Sequence, residues 1–345
     1  MKKAVIVLAA CLSFSGTLFS SVLPWSVVYK KIYSPVERYH HQFQTILLFT
    51  KKETVAFTQL ILSWNAFMPE TGGITFFVRV HIAGKPDYSW EPWHKAIAWS
   101  QTGQRSFFNK GTSATYNHVR LELTEGLLAD GFEIKVEGDN GARALQNMYG
   151  FFVCVSNYKE FKPELPYKAI ADLPTILVEG VPKKSQKLID HPRINALCSP
   201  TTLSMLLEFL LKEPIDPLET ARNVYDEGLD VFGSWPFNIA YAFEKSQGRY
   251  FFYTARLSSF AQLHRMLSYG VPVAVSVRGP LKGGRTDYKN GHFVLVVGFD
   301  SKHKKVLCYD PAFELLDKVQ MEYPIEDFLV AWEKSYRMAY LVHSA

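Results

Sequence analysis

The 345-residue sequence has only four cysteines and no large excess of either charge. This number of cysteines excludes a small fold that is held together mainly by disulfide bonds. Thirty-eight basic and 33 acidic residues leave a net charge of +5, so a nucleic-acid partner is not expected. The histidines of the N-terminal half show no metal-ligand spacing, and we expect neither a metal nor a cofactor. Internal repeats and low-complexity tracts are also missing, which excludes a repeat architecture.

Apolar residues, by contrast, are abundant. Hydrophobic residues make up 48% of the sequence and aromatic residues 14%, which is enough for substantial hydrophobic cores. The chain length is that of two domains of ordinary size. Two domains, each with its own hydrophobic core, are therefore expected.

The N-terminus has the pattern of an export signal. Two lysines follow the initiator methionine, and a long uncharged run comes after them. Residues 1–21 are predicted to be a cleaved signal peptide, so the protein is expected to be secreted, periplasmic or associated with the cell envelope. Two alternatives stay open: the run is an uncleaved membrane anchor, or residues 8–11 are a lipoprotein signal with Cys11 as the lipidated residue. Membrane contact is expected only through this segment.

Removal of the leader would leave three cysteines, an odd number, so at least one thiol is unpaired within the chain. Cys154 and Cys308 lie in apolar, strand-like runs. Both are predicted to be inert core residues. Cys198 remains as the cysteine with a candidate function.

Residues 22–160 are predicted to form an all-β sandwich. Short runs of alternating polar and apolar residues recur between glycine-rich turns, without helical patterns. Trp90, Trp93 and Trp99 are expected to pack between strands, and a face that binds a cell-surface polymer is the alternative. The prolines that follow predict an extended linker over residues 161–178. No catalytic pattern is evident before this linker.

The remaining segment, residues 179–345, has a mixed pattern. Helices are predicted at 217–227, 239–246 and 258–269, and a buried strand follows the last of them. Arg278, Lys282, Arg285 and Lys289 are expected to form a solvated loop face, with recognition of acidic substrates as the alternative. Residues 235–238 either line a cleft or form a buried aromatic turn.

Cys198 lies where a loop turns into a predicted buried helix. Pro200 suits the first helical turn, where a missing N–H costs nothing. Five leucines between positions 203 and 211 follow at helical spacing. The unpaired N–H groups and the positive dipole end at a helix start favour the thiolate form of a cysteine.

A histidine and a carboxylate are predicted to meet at the open end of a hairpin. His292 begins one apolar strand and Asp310 ends the next, with a polar turn at 300–304 between them. If the turn is centred on residue 301, His292 and Asp310 lie opposite each other, about 5 Å apart at Cβ. A bulge would shift this register. Together with Cys198, the pair favours nucleophilic catalysis by a thiol.

The second domain resembles the papain-like cysteine peptidases of the bacteriocin-processing (double-glycine) type, in an exported bacterial branch with an N-terminal β-domain. The resemblance extends from residue 181 to about residue 340. It is carried by these stretches in the order of that branch: Val181–Gln186, Cys198–Met205, Gly233–Asn238, Gly291–Phe299 and Tyr309–Ala312. It implies an α+β fold, with a central helix packed on an antiparallel sheet.

The resemblance also implies roles for four residues. Cys198 matches the nucleophile, His292 the general base and acid, Asp310 the orienting residue and Gln186 the oxyanion glutamine. Gln186 lies 12 residues before Cys198, farther than in better-known members, and Asn195 is the nearer alternative.

The leading hypothesis is therefore an exported cysteine peptidase that hydrolyses peptide or isopeptide bonds of a protein or peptide substrate through a thioester. One alternative is an amidase or acyltransferase with the same site, because the fold does not decide the acyl acceptor. The other is a non-catalytic cell-surface binding protein, against which the presence of all three residues of the triad counts.

Overall fold

The computed structural model describes residues 24–85, 87–139 and 142–344. The predicted signal peptide, including Cys11, lies outside the described residues. No helix in the described part of the chain is long and apolar enough to cross a membrane. The architecture confirms the predicted α+β class: two antiparallel sheets come first, and a domain of helices on a third antiparallel sheet follows.

The first domain contains eleven strands and one short helix among the described residues. In chain order they are β1 (Ser26–Ile32), α1 (Pro35–His41), β2 (Ile46–Lys51), β3 (Gln59–Ala66), β4 (Gly73–Ile82), β5 (His94–Ser100), β6 (Gly103–Ser106), β7 (Asn109–Lys110), β8 (Ala114–Asn117), β9 (Arg120–Leu123), β10 (Ala129–Gly138) and β11 (Met148–Ser156). One sheet has the strand order β1-β11-β3-β9-β8-β7 and the other β2-β10-β4-β5-β6.

The core of this domain is aromatic. Trp64 and Phe76 come from different sheets, and both are fully buried with ring centroids 4.4 Å apart. Trp99 is also buried and meets Trp64 edge to face at 5.5 Å. Inward-facing side chains from two sheets thus form one core, as in a sandwich. The predicted sandwich is confirmed, and so is the packing of Trp99 between strands.

The second domain contains the remaining elements. They are α2 (Pro166–Ala169), β12 (Ile176–Leu177), α3 (Cys198–Leu211), α4 (Pro217–Val224), α5 (Trp235–Lys245), β13 (Tyr250–Arg256), α6 (Phe260–Ser268), β14 (Val273–Val277), β15 (His292–Asp300), β16 (Lys305–Tyr309), β17 (Gln320–Pro324), α7 (Ile325–Glu333) and β18 (Met338–Ser344). The sheet order is β13-β18-β14-β15-β16-β17, and β12 pairs with β15.

Helix α3 is buried on almost every side, as its leucine-rich sequence predicts. Most of its residues from Ser199 to Leu207 are inaccessible to solvent, and it packs against β14 and β15. Lys212 ends the helix in the left-handed region, at φ 59°. A largely apolar helix of this kind is held by tertiary packing on all faces. The start of α3 is therefore fixed against the sheet.

Three predicted helices are confirmed with shifted ends. Helix α4 ends at Val224 because Tyr225 is extended. Helix α5 begins at Trp235, since a proline in the first turn favours a helix start. Helix α6 begins after Ser259, whose hydroxyl caps the N–H of Gln262. Residues 235–238 thus form the first turn of a largely buried helix, which fits the predicted buried turn.

The predicted linker, residues 161–178, packs along the second domain. Residues 166–169 form α2, and β12 pairs with Gly298 and Phe299. The N–H of Glu164 donates to the Glu333 carboxylate at 2.8 Å. These contacts tether the segment along its length, because backbone groups of the linker are paired with the peptide and side chains of the C-terminal domain.

The two domains share a polar and an apolar contact. The Asn65 side chain on β3 accepts from the N–H of Phe252 and donates to its carbonyl, both at 2.8 Å. The Ser63 hydroxyl accepts from the N–H of Thr254 at 3.0 Å. Nearby, the rings of Trp64 and Phe237 meet edge to face at 5.8 Å. Strand β3 of the sandwich therefore packs on both β13 and α5.

Candidate active site

Cys198 is the first residue of α3 and is partly buried. The fold places His292, the first residue of β15, within hydrogen-bonding reach of its thiol. The backbone N–H groups of Ser199 and Phe293 also face the sulfur. The sequence-predicted nucleophile and base are thus brought together, because α3 packs across the strand that His292 begins.

His292 is held on its other side by Asp310. The Nε2 atom of His292 lies 2.7 Å from Oδ1 of Asp310, which leaves Nδ1 as the ring nitrogen available to the thiol. His292 is 5% exposed and Asp310 is completely buried. A carboxylate on the far ring nitrogen fixes both the tautomer and the orientation of the imidazole. Cys198, His292 and Asp310 therefore form one connected chain of side chains.

The hairpin register differs from the prediction. The pair next to the turn is Asp300 with Lys305, so the turn contains four residues, and a bulge at Val297 shifts the pairing further. Tyr309 pairs with Leu295, which would place Val294 opposite Asp310. His292 is thus the diagonal neighbour of Asp310 on the same face, still within reach of long side chains. The direct pairing was wrong, although the two side chains meet.

Asp310 has three further partners that the sequence did not reveal. The hydroxyls of Tyr288 and Tyr323 donate to Oδ2 at 2.7 and 2.6 Å, and the N–H of Ala312 donates to Oδ1 at 2.9 Å. The Tyr288 ring also stacks on the His292 imidazole, with centroids 4.1 Å apart. Every oxygen of the buried carboxyl group is therefore satisfied, and the imidazole is clamped against one face.

The environment shifts the ionisation of all three residues toward an ion pair. Burial opposes charge on Cys198, but the hydrogen bond and the charge of His292 outweigh it, so the pKa of the thiol lies below its usual 9.0. Burial likewise lowers the pKa of His292, but the Asp310 charge and hydrogen bond raise it to about 10. Despite burial, His292 and the tyrosine hydroxyls keep the pKa of Asp310 below 3.8. Both shifts favour the thiolate–imidazolium pair over the neutral thiol and imidazole.

The other two described cysteines are in a different environment. Cys154 and Cys308 are fully buried and unpaired. Burial, with the nearby Asp310 charge, raises the pKa of the Cys308 thiol well above 9.0. Their predicted place in the core is confirmed, and their inertness stays a prediction. Among the described cysteines, a lowered pKa is found at Cys198.

Gln186 lies between the segments that carry the nucleophile and the acid. Its backbone N–H donates to Pro311, and its side-chain Nε2 donates to the carbonyl of Ile194 at 2.8 Å. One side-chain N–H is left over, and Oε1 is buried without a partner in the described part of the chain. Asn195, the alternative, is exposed and its side chain accepts from Lys187. A turn at 186–188 and another at 194–196 fold the intervening residues back toward Cys198.

The basic loop before His292 faces solvent, as expected. Arg278, Lys282, Arg285 and Lys289 are all exposed. Arg285 pairs with Glu314 at 3.0 Å and Lys289 with Asp287 at 3.0 Å. Exposed pairs of this kind contribute little to stability. The loop contributes to the site chiefly through Tyr288, which is buried beneath these charges.

Replacing Asp310 with alanine is expected to lower kcat by about 100-fold. The imidazole would lose its orienting partner, and two tyrosine hydroxyls would lose their acceptor. Asp310→Asn is the matched control, because its amide oxygen can still accept from Nε2, and it should keep more activity. Steady-state rates of both variants on one peptide substrate provide the measurement. Wild-type rates in Asp310→Ala would remove Asp310 from the mechanism.

A family model and a solved structure each match part of this chain. Residues 178–340 match the model of the Peptidase_C39 like family, a range that includes Gln186, Cys198, His292 and Asp310. Among solved structures, xylellain, a cysteine protease from Xylella fastidiosa, matches with 15% sequence identity and a TM-score of 0.34, over 54% of this chain and 91% of that one. No curated protein matches the chain. Residues 178–340 therefore form a Peptidase_C39 like domain.

Proposed function

We propose that the protein is an exported peptidase that hydrolyses peptide or isopeptide bonds with Cys198 as nucleophile, His292 as acid and base, and Asp310 as orienting residue. The observation that carries the proposal is the continuous contact from the Cys198 thiol through His292 to Asp310, with the pKa of the thiol lowered and that of the imidazole raised. When the pKa values of two adjacent groups are shifted in opposite directions, one group is suited to act as the acid and the other as the nucleophile.

In the first half of the reaction, the Cys198 thiolate attacks the carbonyl carbon of the scissile bond. The carbonyl π electrons move to oxygen, and a tetrahedral intermediate forms. The His292 imidazolium then gives its proton to the leaving amine, the C–N bond breaks, and a thioester remains on Cys198. Asp310 keeps the ring in place and stabilises the imidazolium while it is charged.

In the second half, neutral His292 takes a proton from water as the water oxygen attacks the thioester. The C–S bond then breaks, and the carboxylic acid leaves. Cys198 is again a thiolate, and His292, which holds the proton taken from water, is again an imidazolium. The same imidazole acts first as an acid toward the leaving amine and then as a base toward water. This requires a pKa between those of the protonated amine and of water. Burial lowers the pKa of His292, but the charge and hydrogen bond of Asp310 outweigh it and raise that pKa to about 10.

The oxyanion would be bound by the backbone N–H of Cys198 and by the side-chain amide of Gln186. The N–H of a first helical residue has no acceptor inside its own helix. Gln186 is buried, has an N–H left over and is tied to the segments on both sides of the site. Fixed donors of this kind stabilise charge without reorganisation during the reaction.

Export is the second part of the proposal, and the N-terminal sequence supports it. The lysine-led start and the uncharged run are typical of exported chains. Fractionation of cells that express the full chain tests it. We expect the protein outside the cytoplasm, with a mature N-terminus near residue 22, and recovery of the intact chain in the cytoplasm would contradict export.

Cleavage of a peptide library in water enriched in ¹⁸O tests the proposed reaction. Hydrolysis should place one oxygen from water in each new carboxyl terminus, because water attacks the thioester. Iodoacetamide should label Cys198 rapidly near neutral pH, with Cys154 and Cys308 as internal controls for buried thiols. Products joined to an added amine would instead indicate an acyltransferase. If Cys198 is not labelled and no peptide is cleaved, the protein is a non-catalytic scaffold.

A further inference from the structure

Helix α5 lies between the sandwich and the nucleophile helix. One side of α5 packs on β3, with Phe237 against Trp64, and α5 also contacts α3. Its first turn is buried, including the fully buried Asn238. The N-terminal domain and the segment that carries Cys198 therefore share one structural neighbour.

A buried carboxylate joins the sandwich to the start of this helix. Asp226 is completely buried, and its Oδ2 accepts the hydroxyls of Ser106 and Ser234, each at 2.6 Å. Its Oδ1 accepts the backbone N–H groups of Ser106 and Gly228, each at 2.9 Å. Ser106 ends β6 of the sandwich, and Ser234 immediately precedes α5. Two bonds of the carboxylate thus come from the N-terminal domain.

The same network continues to the residue after the nucleophile. The Asn238 Nδ2 donates to the Ser234 carbonyl at 2.9 Å, and Asn238 Oδ1 accepts the Ser199 hydroxyl at 2.9 Å. The Ser199 oxygen also lies 3.0 Å from the hydroxyl of Tyr340 on β18. Ser199 and Asn238 are fully buried. Polar groups buried to this extent stay paired, because an unpaired one is costly.

We propose that the N-terminal sandwich is a working part of the active site: Ser106, Asp226, Ser234 and Asn238 are positioning residues that hold Ser199, and through it Cys198, against His292. The inference rests on the proposed role of Cys198. Loosening the first turn of α3 would lengthen the thiol–imidazole contact, on which the thiolate depends. The sandwich then affects the rate without touching the substrate.

Ser106→Ala tests this, with Ser63→Ala as the matched control. Each removes one buried serine hydroxyl bond between the domains, but Ser63 bonds the N–H of Thr254 on β13 rather than the network. We expect Ser106→Ala to lower kcat about fivefold with KM unchanged. Its iodoacetamide reaction at Cys198 should also have a midpoint at higher pH. Ser63→Ala should lose thermal stability to a similar extent with neither kinetic change.

A double variant adds a test of coupling. If Ser106 and Ser199 belong to one network, the losses of alkylation rate in Ser106→Ala and Ser199→Ala should not add in the double variant. The inference would be overturned if Ser106→Ala had the wild-type kcat and the wild-type pH midpoint of alkylation at Cys198. If Ser106→Ala does not fold, Ser234→Ala takes its place in this test. Failure of the wild-type protein to alkylate at Cys198 and to cleave peptides would instead overturn the proposed function.

Discussion

Replacing Cys198 with alanine is expected to abolish hydrolysis, with a loss of about 10⁶-fold in kcat. No other group in the described site can form the covalent intermediate, because His292 is bound to Asp310 and Gln186 is an amide. The measurement is the single-turnover cleavage of a peptide substrate at saturating enzyme. The free energy of unfolding should stay within about 1 kcal/mol of wild type, since one small, partly buried side chain is shortened.

Cys308→Ala is the control for the loss of a thiol as such. Cys308 lies on β16, close to Asp310 in the chain, but is fully buried with a raised pKa. Its removal should lower stability more than Cys198→Ala, because a cavity is left in the core. Cys308→Ala should leave the rate of peptide hydrolysis unchanged. Hydrolysis in Cys198→Ala at the wild-type rate would end the proposed mechanism.

Replacing His292 with alanine is expected to reverse the shift of the thiol pKa. In the wild type, the His292 hydrogen bond and charge outweigh burial, so the pKa of Cys198 lies below 9.0. Without the imidazole, burial is the largest remaining influence and should raise the pKa above that value. The rate of alkylation against pH measures the change directly. Peptide hydrolysis should fall by about 10⁴-fold or more, since both proton transfers are lost.

The rates of hydrolysis and alkylation of the wild-type protein, measured against pH, provide the second half of this test. Hydrolysis should rise with pH as the Cys198 thiol ionises and fall as pH exceeds about 10, where His292 loses the proton for the leaving amine. Alkylation should rise through the first transition without the same fall, because a thiolate without the imidazolium still reacts. An alkylation midpoint in His292→Ala equal to that of the wild type would show that His292 does not act on the thiol.

The proximity of Cys198, His292 and Asp310 could be predicted from sequence because each residue lies at the start or end of a strongly patterned element. The leucines after Cys198 require a buried helix, and two apolar runs around a polar turn require a hairpin. The register could not be predicted, because it depends on one bulge at Val297 and on turn length. Asp300 fixes that turn by accepting the N–H groups of Lys302 and His303, a local detail that the hydrophobic pattern does not encode.

The residues around the triad were missed for a different reason. Tyr323 reaches Asp310 from β17 and Tyr288 from a loop, and neither follows a local period that points to the carboxylate. Asp226 is likewise satisfied by Ser106, which lies 120 residues earlier. Such contacts depend on how sheets and domains meet. Sequence periodicity reports which residues are buried, but not which buried polar groups become partners.

The side chain of Asn65 has a consequence for the solubility of the second domain. Strand β13 is at one edge of the C-terminal sheet, and such an edge exposes unpaired N–H and C=O groups that can recruit a strand from another molecule. Asn65 bonds both backbone groups of Phe252, and Ser63 bonds the next available N–H, so two side chains replace a neighbouring strand. The sandwich thereby shields the peptidase sheet from edge-to-edge aggregation, and a truncated second domain would begin with that edge open to strand addition.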